Sequence, residues 1–411
     1  MIKQQAEPKS PHPPFAKGGQ GAINSETGFT LMELLITMVI FVLVIAAGSQ
    51  IFTGMLTQFK QQSKISETNI EGIVGLEILR QDIGHSGYGL PWVMPSGITY
   101  AAAETFSANP CGTGTTADPT TFNDSSSNAP KAIISGNNTC LNSSDYLVIK
   151  AVNVATNNIA NRWALLGNSG VLRSDISGDA FATSDRVIVL DPGTSDATMR
   201  TLVGSGSTFF KQYNVVTDFE PSDSTTTRFI YGINGANPKV PFNRADYYIS
   251  ATNPPQRCAI GTGVLYKATI NHGSVSGTNQ FTELPLLDCV ADMQVIYGID
   301  TDATMDGAVN CYVNDPADAL ATVDAENIRN RIKEVRVYLL AHEGQYDRSF
   351  AYNPPISPSS IRVGEPSSSL PGGSCSGVAV LGQDFDLSGI TNWQNYRWKV
   401  YTLVVKPNNL R

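Results

Sequence analysis

The sequence predicts an α+β fold, one long N-terminal helix followed by a β-rich head, and three observations carry the prediction. A continuous apolar run occupies Phe29 to Ala47. A polar stretch with a helical stripe follows it to about Ile83. Beyond that, short β-branched and aromatic runs alternate with turn-rich segments to the end of the chain.

Charge narrows the partners before any element is placed. Among 411 residues there are 28 Lys+Arg and 36 Asp+Glu, a net charge of -8, with only 16% charged residues. Solubility therefore comes mostly from Ser, Thr, Asn and Gly, a pattern that favours an extracytoplasmic protein. No dense Lys/Arg block is present, so the electrostatic footprint of duplex binding is missing and no nucleic-acid partner is expected.

The first 28 residues hold Pro11, Pro13, Pro14 and a Gly-rich stretch, and read as an unstructured cytoplasmic leader. The next segment, 29–58, has no charge between Glu33 and Lys60, and its apolar run is long enough to cross a bilayer core of about 30 Å. Lysines on the leader side orient the N-terminus inward and the bulk of the chain outward. No A-x-A-like cleavage site follows a short apolar core, which argues against ordinary signal-peptide removal. Glu33 stands out, because a carboxylate toward the bilayer centre costs about 2.5–3.5 kcal/mol and needs a partner.

Segment 59–84 is the amphipathic half of the same helix. Ile65, Leu76, Leu79 and Ile83 share one face with Gly72, and Gly48, Gly54, Gly72 and Gly75 are expected weak points. From Phe29 to Ile83 the helix is about 80 Å long at 1.5 Å per residue. The breaker cluster Gly84-His85-Ser86-Gly87-Tyr88-Gly89-Leu90-Pro91 ends it. In the head, 85–411, strands are expected at Tyr146 to Val152, Arg186 to Leu190, Arg228 to Tyr231, Gly263 to Ile270, Met293 to Tyr297, Glu334 to Leu340 and Trp398 to Val405. Together they form an antiparallel-rich sheet laid on the helix. Gly112 to Pro130 and Pro354 to Gly373 are expected to be long surface loops.

The segment Gly28-Phe29-Thr30-Leu31-Met32-Glu33-Leu34-Leu35 resembles the processing motif of type IV prepilins and type II secretion pseudopilins. The resemblance implies a pilin-like fold, cleavage after Gly28 by a prepilin peptidase, N-methylation of Phe29, and a mature chain of 411 - 28 = 383 residues. It also implies that Glu33 attracts the Phe29 amine of a neighbouring subunit during assembly. Three further pieces, Ile78-Leu79-Arg80-Gln81-Asp82-Ile83 with Gly87-Tyr88-Gly89, Val295 to Asp302, and Tyr396 to Tyr401, resemble minor pilins of the PilW type. The implied role is a structural subunit that helps initiate or cap a type IV pilus. It would begin in the inner membrane with a periplasmic head and end in the extracellular pilus. Its partners would be other minor and major pilins, the processing peptidase and methyltransferase, the inner-membrane assembly platform and the membrane itself. A J-type pseudopilin of a secretion filament and a tip adhesin are the alternatives.

The six cysteines, Cys111, Cys140, Cys258, Cys289, Cys311 and Cys375, all follow the span, where disulfides persist. Fifteen full connectivities are open, with buried free thiols as the alternative. Loop locality favours the sequential set, Cys111 to Cys140, Cys258 to Cys289 and Cys311 to Cys375. Asp300, Asp302, Thr304 and Asp306 are dense in oxygen donors, and the choice lies between an irregular Ca²⁺ loop and a solvated acidic turn. Val313 stands where an EF-hand counted from Asp302 needs glutamate. The four histidines, His12, His85, His272 and His342, form no H-x-x-x-H pair, and G-x-S-x-G and P-loop motifs are missing, so no enzyme is expected.

Overall fold

The computed structural model describes residues 28–100, 109–112, 115–173, 180–195, 197–273 and 280–410. The expected leader, apart from Gly28, lies outside them. The chain falls into two units, Met1–Phe59 and Lys60–Arg411. Helix α1 (Leu31–Gly84) runs without a break through all four expected weak points, Gly48, Gly54, Gly72 and Gly75. Its composition explains this, since Leu, Met, Ile, Gln and Glu around each glycine outweigh a cost of about 1 kcal/mol per glycine.

Within the first unit, every helical residue through Phe59 is exposed, including Phe41, Val42, Leu43 and Val44. By length and composition this helix can cross a membrane.

Among the described residues the second unit contains sixteen strands. In chain order they are β1 (Ile133–Gly136), β2 (Tyr146–Ala151), β3 (Trp163–Gly167), β4 (Gly170–Arg173), β5 (Arg186–Asp191), β6 (Thr201–Leu202), β7 (Lys211–Gln212) and β8 (Arg228–Asn234). Then come β9 (Asn243–Ser250), β10 (Gly263–Ile270), β11 (Phe281–Ile299), β12 (Cys311–Val313), β13 (Ile332–Glu343), β14 (Ser360–Pro366), β15 (Val380–Asp386) and β16 (Arg397–Val405). The large sheet has the order β1-β2-β9-β10-β11-β13-β16, with β12 on β11. A second sheet has the order β4-β3-β8-β5-β6, with β7 on β5, and β14 pairs with β15 alone. All of these pairings are antiparallel.

The large sheet is covered on both faces, which is why its strands read as near-continuous apolar runs. Val335, Val337 and Leu339 join the core that holds Leu76, Leu79 and Ile83 of α1. Tyr338 and Leu340, alternating with them, face the other way and pack with Ile361, Val363, Leu381 and Phe385 of the β14–β15 hairpin. A third cluster, including Val187, Val189 and Phe219, belongs to the second sheet.

Several expectations are corrected here. The 19-residue β11 far exceeds Met293 to Tyr297, because Val290 pairs with both Gly263 and Ala341 and so joins the β10 ladder to the β13 ladder. The stretch Pro354 to Gly373 is not simply a loop, since it contains β14. Its turn-rich composition has a steric cause. Gly364 and Gly382 face each other with φ of 136° and 78°, and a Cβ on Gly364 would lie 2.0 Å from the Leu381 carbonyl oxygen.

Strand β9 escaped the sequence reading because its Asn, Arg and Asp break the apolar pattern. All three are fully buried, and Arg244 pairs with Asp246 at 2.6 Å. In the stretch Gly112 to Pro130, Asp118 caps a 3-10 turn, Pro119–Phe122, and Phe122 stacks on Tyr146 at 5.2 Å. Buried Lys150 donates to the Phe122 carbonyl at 2.7 Å and Arg244 to that of Pro119 at 2.9 Å. Cations from the sheet thus anchor a segment whose own sequence looks structureless.

Candidate functional site: the N-terminal segment and the helix seat

Gly28, Phe29 and Thr30 precede the helix as non-helical residues. A Cβ on Gly28 would meet nothing within 4 Å, and Phe29 is 83% exposed, so this junction is open to another protein. Thr30 is the N-cap and Glu33 the third helical residue. The Thr30 amide and hydroxyl donate to Glu33 Oε2 at 3.1 and 3.3 Å, and the Glu33 amide donates to Thr30 Oγ1 at 3.3 Å. This is a capping box. Within a single chain, Glu33 therefore finds its partner at the helix start. The T-x-x-E spacing carried that signal in the sequence, and the reading of Glu33 as a carboxylate in need of a partner passed over it.

In the second unit the remainder of α1 is seated on the sheet. Leu79 and Ile83 are fully buried and Leu76 nearly so. Ile65, expected on the same stripe, is only half-buried. Gly72 and Gly75 turn out to be contact points. A Cβ on Gly75 would sit 2.2 Å from the Leu286 carbonyl oxygen, whereas one on Gly72 would be 3.4 Å from Leu287 Cδ1. Polar bonds fix the register: the Gly344 amide donates to Thr68 Oγ1 at 3.2 Å, and Lys399 donates to Asn69 at 3.2 Å. Asp82 near the helix end meets Lys267 Nζ at 2.5 Å and accepts from the Tyr247 hydroxyl.

The sulfurs pair as Cys111–Cys140, Cys258–Cys289 and Cys311–Cys375. His342 lies beside the second bridge. Its Nε2 accepts from the Ala259 amide at 2.9 Å, its ring packs on Tyr396, and burial pushes it down to about 3. His272 shares a bond with Asn243 at 2.9 Å and is pushed by burial down to about 4. Neither histidine is joined to a serine and a carboxylate among the described residues.

Asp300, Asp302 and Asp306 do converge, with ligand atoms within 4.8 Å of one another. Of their six carboxylate oxygens, four already accept from the Asp302, Gly307 and Ala308 amides and from Asn310. Arg331 donates to the carbonyls of Asp300 and Asp302 at 3.1 Å each. The protein's own donors thus engage part of the oxygen set that a cation such as Ca²⁺ would draw on.

Buried acids form a second group that the sequence did not reveal. Asp145 accepts from the Asn138 and Val295 amides at 2.8 and 2.7 Å, and burial pushes it up to about 8. Asp292 accepts from Gln294 and Gln383, each at 2.9 Å, and burial pushes it up to about 7. Together they tie the turn before β2 and the edge of β15 to β11.

Comparison with known proteins adds two matches at opposite ends of the chain. Residues 246–409 match the family Type IV Pilus-assembly protein W, and residues 23–49 match the prokaryotic N-terminal methylation motif. Among solved structures, a type IV-like pilin from Thermus thermophilus aligns at 14% identity over 41% of this chain and 78% of its own, with a TM-score of 0.17. A search of curated proteins finds no match.

Proposed function

Starting from a chain that is a PilW-type pilin with a prepilin N-terminus, we propose that it is a minor pilin, a structural subunit that helps initiate or cap a type IV pilus. The observation that carries this is the first unit of the chain, an all-exposed apolar helix behind an accessible Gly28-Phe29 junction. Such a surface is stable only in a bilayer or against other helices. A filament core offers the same apolar environment, so the helix can leave one for the other.

Processing after Gly28 frees the Phe29 amine two residues before the helix begins at Leu31. In this reading Glu33 exchanges its capping bonds to Thr30 for the Phe29 amine of a neighbouring subunit, and the ion pair sets axial register. The chain acts by burial and pairing, and no catalytic step is assigned to it.

Glu33→Val tests the reading. Membrane insertion is expected to stay intact, because valine is cheaper than glutamate in the bilayer, while the protein is lost from sheared pili of the native host. Normal recovery of the variant in pili would overturn register pairing. Intact mass and N-terminal sequencing of the wild-type protein should show a chain beginning at methylated Phe29. A chain still beginning at Met1 in the presence of the processing machinery would overturn the whole reading.

A further inference from the structure

Asp82, Lys267 and Tyr247 form a buried triangle between helix and sheet. Lys267 and Tyr247 are directly opposite each other on β10 and β9, and both reach the same Oδ2 of Asp82 from below. The side chains of Lys267 and Asp82 are 7% and 10% exposed, and Tyr247 is fully buried. Leu79 and Ile83, on either side of Asp82, belong to the same apolar core as Tyr247.

Two features set this pair apart from the other buried ion pairs. An ammonium has three donors, yet Lys267 meets Asp82 as its one acceptor among the described residues. Lys150, in contrast, bonds both Asp124 and the Phe122 carbonyl. Arg244, paired with Asp246, is a guanidinium that does not give up its proton. Transfer of the ammonium proton to Asp82 across the 2.5 Å contact gives a primary amine against a carboxylic acid. Burial pushes the Asp82 carboxyl up, in the same direction.

We propose that Asp82 and Lys267 condense to an amide, an intramolecular isopeptide bond that joins α1 covalently to β10. The lone pair of the neutral Lys267 Nζ attacks Asp82 Cγ, forming the C–N bond. The Tyr247 hydroxyl, already bonded to Oδ2, polarises the carboxyl and passes its proton to the departing hydroxyl. The Cγ–Oδ2 bond breaks, and the phenol recovers its proton from the amine nitrogen. One carboxylic acid and one amine become one amide and one water, and no oxidant or other co-reactant takes part. Tyr247 is the proton-transferring residue of the step, and the surrounding apolar core keeps water from reversing it.

The bond would link positions separated by 267 - 82 = 185 residues. A pull on α1 would then pass into the sheet through covalent bonds.

The experiment is the intact mass of the mature protein from its native host, after reduction and alkylation of the cysteines, followed by tryptic mapping. The expected result is a deficit of one water against the sequence mass, with the peptide containing Asp82 joined to the peptide containing Lys267 and no cleavage after Lys267. In Lys267→Arg, which keeps a cation but cannot form this amide under the same chemistry, the full mass returns. A wild-type protein of full mass, or a deficit that maps to any other peptide, overturns the proposal. The wild-type measurement decides the matter even where the variant fails to fold.

Discussion

Replacing Gly75 and Gly72 by alanine, one at a time, subjects the helix seat to a test of sign. The two positions lie one turn apart on α1, and helix propensity alone predicts that either change stabilises by about 1 kcal/mol. The seat predicts opposite outcomes. The new Cβ at position 75 would lie 2.2 Å from the Leu286 carbonyl oxygen, 2.8 Å from its carbonyl carbon and 3.0 Å from its Cβ. The oxygen and carbon belong to the backbone of β11, which cannot rotate aside. The helix must then lift by about 1 Å to restore normal contact, loosening Leu76, Leu79 and Ile83 in a close-packed core. Overpacking of this kind costs about 1–3 kcal/mol. Because backbone is what is met, the upper end applies, and after the propensity gain the net loss is about 2 kcal/mol. At position 72 the nearest atom is the flexible Leu287 Cδ1 at 3.4 Å, an ordinary contact, so Gly72→Ala should keep most of its gain. The assay is urea denaturation of the mature chain in detergent micelles, followed by tryptophan fluorescence. Shifts of the same sign for both variants, or a Gly75→Ala protein as stable as wild type, would refute the seat.

Three further outcomes are expected. With folded values of about 8 and 7, Asp145 and Asp292 are protonated in the fold at pH values where the unfolded chain has ionised them, so their contribution is lost as pH rises through those values. His272 and His342, held down near 4 and 3, act oppositely below about pH 6.5, so the net decline in stability should appear between about pH 6.5 and 8, and Asp145→Asn should flatten it in urea titrations across that range. Thr30→Val removes the hydroxyl of the capping box and should fray the start of α1 at a cost of about 1 kcal/mol, read as faster amide exchange of residues 31–34 in micelles, with unchanged exchange counting against the box. A calcium ion at Asp300, Asp302, Thr304 and Asp306, proposed on the sequence, is tested by isothermal titration: saturable heat lost in Asp302→Asn supports it, and no heat at millimolar Ca²⁺ overturns it.

The helix was legible from its apolar run and stripe because α1 follows a strict 3.6-residue period over Leu76, Leu79 and Ile83. Strand β10 was legible to the residue, at Gly263–Ile270. Strand β9 was not, because its order depends on partners far away in the chain: Tyr146 for Asp246, and His272 for Asn243. The β14–β15 hairpin was hidden by the glycines that its own close pairing requires. At the N-terminus, the residue types and their spacing marked Gly28, Phe29 and Glu33, while the Thr30–Glu33 box needed attention to a four-residue pattern. The triangle of Asp82, Lys267 and Tyr247 joins three segments separated by long stretches of chain, and no local pattern announces it.

The three disulfides join the first cysteine to the second, the third to the fourth and the fifth to the sixth. The proposed pilin role has the head exported N-terminus first, and in that role this order has a consequence for biogenesis. Each cysteine's mate is the next to emerge or the last to have emerged, so an oxidase that joins thiols as they appear produces the native set directly. No closed loop contains a cysteine belonging to another bridge, and no pairing must be undone when a later thiol arrives. The chain can in this way reach its disulfide-bonded form without any disulfide isomerase, in the order in which its cysteines emerge.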